Sequence, residues 1–252
     1  MTKLFKNYAI QILLISITLT TYKCNTNKQE SPILPQLKLQ KTTPILVPEP
    51  SGLALSFDNN FIWCVSDDKS LIYKLDKNGK IVKTVSVSGE DLEGITVIDS
   101  NILAVILERS REVVVIDTLG NEINRGKINV SGKLNEGLEG ICYDGYLRNF
   151  YFVNEKQPGL LIKTDSDFKE IFRKEIGLAK DYSEIFFAKE DSTLWILSDE
   201  SEMIIQTNKE GNKIKEFGID VVQPEGLIVD YKNKIVYVVS DKTEKLYEFK
   251  LP

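Results

Sequence analysis

Short apolar runs separated by polar turns set the rhythm of this chain. Some are continuous, such as Ile102–Leu107 and Ile235–Val239. Others alternate, such as Ile81-Val82-Lys83-Thr84-Val85, Ile123 to Val130, Ile171 to Ile176 and Ile214 to Ile219. Period-two alternation predicts half-buried strands, and brief continuous runs bounded by turns predict strands buried on both faces. The strands fall into repeats marked by one phrase. Leu92-Glu93-Gly94-Ile95 returns as Leu138-Glu139-Gly140-Ile141 and Pro224-Glu225-Gly226-Leu227, with weaker copies at Pro50-Ser51-Gly52-Leu53 and Tyr182-Ser183-Glu184-Ile185. The second residues stand at 51, 93, 139, 183 and 225, steps of 42, 46, 44 and 42. A strand-built period of roughly 40–45 residues predicts a propeller.

Each repeat reads strand, turn, strand, turn, strand, turn, strand. About 16 residues after the phrase an acid closes the second strand, at Asp67, Glu108, Glu155, Asp199 and Asp241. A turn signal follows at Asp76-Lys77-Asn78-Gly79, Asp117-Thr118-Leu119-Gly120, Asp165 to Phe168, and Asn208-Lys209-Glu210-Gly211. Asp and Asn close such turns through their side chains, and Gly accepts positive φ. Phe168 takes the Gly place in the third copy, so a different turn is expected there. The last repeat runs out at Leu251-Pro252 after three strands, while Gln36 to Val47 supplies a spare one. That segment is therefore expected to pair with 246–250 and close the ring, which removes two open sheet edges. The fold class is all-β, a five-bladed propeller over 36–252 closed by an N-terminal strand.

Residues 1–24 read as a secretory signal: Lys3 and Lys6 precede the apolar stretch Ala9 to Leu19. Cys24 ends it, and residues 25–35 form a polar tether. This layout is that of a bacterial lipoprotein with Cys24 lipidated, although Lys23 stands where a small residue is usual. Lipid attachment and ordinary cleavage both stand. The expected location is the cell envelope, periplasmic or membrane-anchored, with membrane contact only through such an anchor. Cys64 and Cys142 sit inside apolar strands and read as small buried hydrophobes.

A net charge of −5 opposes nucleic-acid binding. The chain has no histidine, which excludes histidine bases, Ser-His-Asp or Cys-His catalysis, and histidine-ligated metals. Because strand two returns to the level where strand one starts, two tiers of oxygen donors should meet at one mouth. The inner tier is Ser51, Glu93, Glu139, Ser183 and Glu225; the outer is Asp67, Glu108, Glu155, Asp199 and Asp241. Crowded carboxylates must protonate, pair with cations such as Arg109, Lys156 or Lys242, or bind metal. An all-oxygen set suits a hard ion, and calcium above magnesium. The outer acids recur in all five repeats, which favours a structural duty: hydrogen bonding backbone amides at the turns. The inner glutamates break the repeat at 51 and 183, which favours one off-centre ion held by Glu93, Glu139 and Glu225.

The phrases Asp91-Leu92-Glu93-Gly94-Ile95-Thr96 and Asn135-Glu136-Gly137-Leu138-Glu139-Gly140-Ile141, with Ser198-Asp199-Glu200 and Pro224-Glu225-Gly226-Leu227, resemble the SdiA-regulated (YjiK-like) family. These are bacterial envelope proteins distantly similar to NHL-repeat proteins. The resemblance covers about residues 36–252 and implies a five-bladed propeller with bound calcium. It carries over to Glu93, Glu139 and Glu225, and less directly to the outer acids. It implies no defined activity. Three functions remain open: a binding module for an envelope protein, peptide or glycan, a calcium-dependent lactonase-like hydrolase, and a purely structural scaffold. Binding is preferred, because the fold alone does not specify chemistry and no lone acid declares itself a catalytic base. A monomer is expected.

Overall fold

In the repeats the second strand is largely apolar and the fourth largely polar, so each sheet buries its inner strands and exposes its outer one. The computed structural model describes residues 34–133 and 136–252. The segment carrying the expected signal, Cys24 and most of the tether lies outside the described residues. The described chain forms β1 (Lys38–Pro44) and then four complete blades. The first is β2 (Pro50–Leu55), β3 (Phe61–Ser66), β4 (Leu71–Asp76) and β5 (Ile81–Ser86). The second is β6 (Leu92–Asp99), β7 (Ile102–Leu107), β8 (Glu112–Asp117) and β9 (Glu122–Lys127). The third is β10 (Leu138–Asp144), β11 (Asn149–Asn154), β12 (Leu160–Thr164) and β13 (Glu170–Glu175). The fourth is β14 (Glu184–Ala188), β15 (Thr193–Ser198), β16 (Met203–Thr207) and β17 (Lys213–Gly218). The fifth takes β18 (Pro224–Asp230), β19 (Ile235–Ser240) and β20 (Lys245–Lys250) from the C-terminus. β1 completes it as the outer strand, giving the order β1-β20-β19-β18. Every sheet is a four-stranded antiparallel meander, so the expected five-bladed propeller and its N-terminal closure are both present.

The core is a closed series of layers between blades. Trp63, Val65 and Ile72 of the first blade pack on Leu103, Val105 and Val114 of the second. Similar layers join the second to the third, the third to the fourth and the fourth to the fifth. The ring closes where Tyr237, Val239 and Leu246 meet Ile62, Cys64 and Tyr73. A middle strand therefore faces a neighbour on both sides, which is why β11 and β15 are buried along their whole length. Cys64 and Cys142 are free and buried in these layers.

Closure has two further fastenings. Leu37 N–H donates to Gly218 O and Gly218 N–H to Pro35 O, each at 3.0 Å, so the N-terminal segment hooks the fourth blade before completing the fifth. Lys77 of the first blade reaches buried Asp230 of the fifth at 3.3 Å, as Lys209 reaches buried Asp144 at 2.6 Å.

The turn at Phe168 corrects the expectation of a different geometry. Asp165 Oδ1 accepts the N–H groups of Asp167 and Lys169, as Asp76 Oδ1 accepts those of Asn78 and Lys80. Phe168 adopts φ +63°, in the region Gly79 and Gly120 occupy. Its ring is buried 5.4 Å from that of Phe150 and lies over Gly126, where a Cβ would collide with it. Burial of an aromatic ring offsets the strain of positive φ.

Candidate metal centre

The inner tier is aimed by a local defect in pairing. In the first, second, third and fifth blades the register of strand one against strand two shifts at the phrase, between Pro50 and Leu53, Leu92 and Ile95, Leu138 and Gly140, and Pro224 and Gly226. Bulges of this kind re-aim a side chain. Here they free Ser51, Glu93, Glu139 and Glu225 from the ladder, and all four line the axial cavity. The glycines that follow sit where blades touch. A Cβ at Gly52, Gly94, Gly140 or Gly226 would come within 2.4–2.6 Å of backbone in the next blade.

The fourth blade breaks this ring. Glu184 holds the glycine place, no bulge precedes it, and its buried carboxylate enters the axis. Oε1 accepts N–H of Ile185 at 2.8 Å and of Ile141 at 3.3 Å, and Oε2 accepts N–H of Leu53 at 3.3 Å. One carboxylate thus serves three blades and closes the channel between the two mouths. Burial drives its pKa well up, against the pull of these three donors.

Above that plug lies a cavity of about 470 Å³. It brings together all ten residues of the two expected tiers, including Asp67, Glu93, Glu108, Glu139, Glu155, Asp199, Glu225 and Asp241. Arg109 is its one cationic lining residue among those described. Arg109 pairs with Asp91 at 3.3 Å, and Lys156 is drawn outward between Glu155 and Glu200. Burial raises the carboxyls of both tiers. Asp67 moves to about 6, with the neighbouring Asp91 charge adding to burial. Glu108 moves to about 7, with the Gly137 N–H opposing at 2.8 Å. Glu93 moves to about 8, held back by the Ser51 hydroxyl, which donates to Oε2 at 2.6 Å. Glu139 and Glu225 rise well above the usual range through burial and, next, the charge of nearby Glu93. Glu155, Asp199 and Asp241 are also raised, chiefly by burial.

In four blades the structural duty expected of the outer acids falls to the residue before them, whereas in the second Glu108 itself accepts N–H of Gly137. Ser66 Oγ donates to Pro48 O and accepts N–H of Lys69; Ser240 Oγ donates to Val222 O and accepts N–H of Thr243. Ser198 Oγ accepts N–H of Ser201 and donates to Asp181. Asn154 Nδ2 donates to the carbonyls of Lys156 and Pro158. The small residue, buried at the end of the ladder, turns its side chain onto the backbone of the turn, and the acid after it is left facing the cavity.

A further set of oxygens went unread in the sequence. Two residues before the inner position stand Glu49, Asp91, Asp181 and Gln223, and all line the same cavity. The fixed offset was the available signal. Asp91 accepts N–H of Arg109 at 3.0 Å and Asp181 accepts N–H of Glu200 at 3.1 Å, so each caps the turn of its own blade while facing the mouth. Carboxylate oxygens of Asp67, Asp91 and Glu93 lie within 4.8 Å of one another. This is an off-axis cluster, and Asp91 takes a place in it beside Glu93 while Glu139 and Glu225 stand outside it. Ser183 Oγ, buried on the cavity wall, has no hydrogen-bond partner among the described residues.

Fold and site together define a closed five-bladed propeller with one acidic axial mouth and a carboxylate plug. The chain belongs to the SdiA-regulated family, whose model matches residues 33–250. Among solved structures it is similar to a chain of a nidogen/laminin complex, at 16% identity and TM-score 0.60, covering 80% of this chain and 76% of that one. It is also similar to virginiamycin B lyase of Staphylococcus aureus, at 17% identity and TM-score 0.52, covering 81% and 66%. Hydrazine synthase of Kuenenia stuttgartiensis matches at 15% identity and TM-score 0.52, covering 78% and 56%. This chain thus spans less than two thirds of the latter two, and at such identities the likeness concerns the fold alone.

Proposed function

We propose that this protein is an exported, calcium-binding recognition module of the bacterial cell envelope. Its acidic mouth holds the ion and presents it to anionic oxygens of an envelope protein, peptide or glycan. The observation that carries this reading is the gathering of all the expected acids, with Asp91 and Asp181, around one cavity that has a single arginine. The donor set fits calcium: it is all oxygen, has no imidazole or thiolate, and is loosely arranged. Asp67, Asp91 and Glu93 would hold one side of the ion, with Glu139, Glu225 and the Ser183 hydroxyl as further donors lining the same cavity. Bound calcium supplies a hard Lewis-acid centre for partner oxygens. The chain's own part is to desolvate the carboxylates, hold them apart on separate blades, and close the axis below with Glu184.

Calorimetric titration of the purified protein tests this. One calcium per chain is expected, bound more tightly than magnesium, and Asp67→Asn or Glu93→Gln should weaken it at least tenfold. Absence of binding heat, together with an unchanged melting temperature in millimolar calcium, overturns the reading. A hydrolase is the second reading, favoured by Glu108, whose pKa of about 7 suits proton transfer near neutrality. Calcium-dependent turnover of lactones or phosphotriesters would establish it, and its abolition by Glu108→Gln would assign the acid.

A further inference from the structure

The axis has a second mouth, beneath the Glu184 plug, where the first strands of all five blades end. A cavity of about 580 Å³ opens there, within the range typical of small-molecule sites. Its wall mixes polar groups with apolar side chains, among them Leu55, Val97, Phe187 and Val229 from four blades. Its rim carries aromatic surface that a folded chain ordinarily hides: Phe57 is 63% and Tyr146 92% exposed. Exposed aromatic groups gathered round a concave, partly apolar surface mark a binding site.

At this rim two lysines stand against the acids, unlike the other mouth, where many acids face a single arginine. Lys189 and Lys232 line it and are exposed, and among the described residues neither has an ion-pair partner. The acids nearby are engaged elsewhere: Asp230 is held by Lys77 and Asn233, and Asp191 by Tyr231, Gln206 and Thr193. Glu190 alone remains beside the two lysines. An anion is repelled from the acidic mouth and accepted at this one.

We propose that this second mouth binds a small amphipathic anion, an apolar body bearing one carboxylate head, taken up as a free molecule. The body fills the space beneath the plug, and the head stays at the rim between Lys189 and Lys232. Neither feature depends on the metal centre, from which Glu184 and the ring of glycines separate it.

The test uses the full protein and the fluorescence of anilinonaphthalene sulfonate, itself an aromatic anion, displaced by decanoate below its micellar concentration. One displaceable site per chain is expected, with decanoate at least tenfold stronger than decanol or decyltrimethylammonium. The double variant K189E/K232E should lose at least tenfold in decanoate affinity and less than twofold for decanol, with an unaltered melting temperature. Affinity should be the same in calcium and in chelator. Equal displacement by the three ten-carbon compounds overturns the proposal without recourse to a variant. So does a stoichiometry above one, or a charge-reversed rim that binds decanoate as the wild type does.

Discussion

Raising the pH should destabilise the calcium-free propeller, against the usual behaviour of carboxylates held in ion pairs. The acids of the mouth keep their protons in the fold at pH values where the unfolded chain has lost them: Asp67 to about 6, Glu108 to about 7 and Glu93 to about 8. A group whose folded pKa is raised makes stability fall as pH climbs from the unfolded value to the folded one. Acids shifted the other way, such as Asp58 at about 2, complete their effect below pH 5. The chain has no histidine, so carboxylates alone report between pH 5 and 7. One proton retained across those two pH units corresponds to about 3 kcal/mol, at about 1.4 kcal/mol per unit. For a domain of this size that is a fall in melting temperature of about 6–12 °C. Scanning calorimetry in chelator at pH 5, 6 and 7 measures it. Calcium must displace those protons, so its stabilisation should grow over the same range, reaching about 2.7 kcal/mol at a hundred times the dissociation constant. A calcium-free melting temperature that is flat or rising from pH 5 to 7 would refute the burial of these acids as described.

Three other outcomes follow from the geometry. Deleting residues 1–44 removes β1 and the hook on Gly218, so the protein should melt lower and aggregate through the exposed edge of β20; melting like the full chain would mean the ring is fastened otherwise. Glu184→Ala leaves the N–H groups of Leu53, Ile141 and Ile185 without their acceptor, at about 1–3 kcal/mol for each buried donor left unserved. A melting temperature lowered by at least about 4 °C is expected, and an unchanged one removes the plug from the account of stability. Intact mass of the protein isolated from its native membranes should show a diacyl or triacyl adduct on Cys24; a mature N-terminus elsewhere rejects the lipoprotein reading.

Much of the architecture was legible because a propeller repeats its instructions. The phrase at 93, 139 and 225, the acid some 16 residues on and the Asx turns are each written several times, and a period shared by five segments is hard to produce by chance. The missing last strand and the spare first one were equally plain. The two tiers of acids could be read because strand length alone returns strand two to the level of strand one. Reading failed where one blade departs from the others. Glu184 looked like a poor copy of Glu-Gly, and Phe168 like a lost turn, since neither can be valued without its neighbours.

The sequence by itself therefore determined the number of blades, the mode of closure and the acids that share a mouth, because strand period and turn chemistry are local and act within a blade. The tertiary structure decided what occupies the axis. It placed Glu184 under three backbone donors from three blades, brought Asp91 beside Asp67 and Glu93, gave the turns to Ser66, Ser198 and Ser240 instead of the acids, and opened a second mouth with aromatic groups and two lysines at its rim. Those outcomes depend on contacts between blades some 40 residues apart in the chain, where distance, burial and competing hydrogen bonds choose among side chains that look alike in sequence.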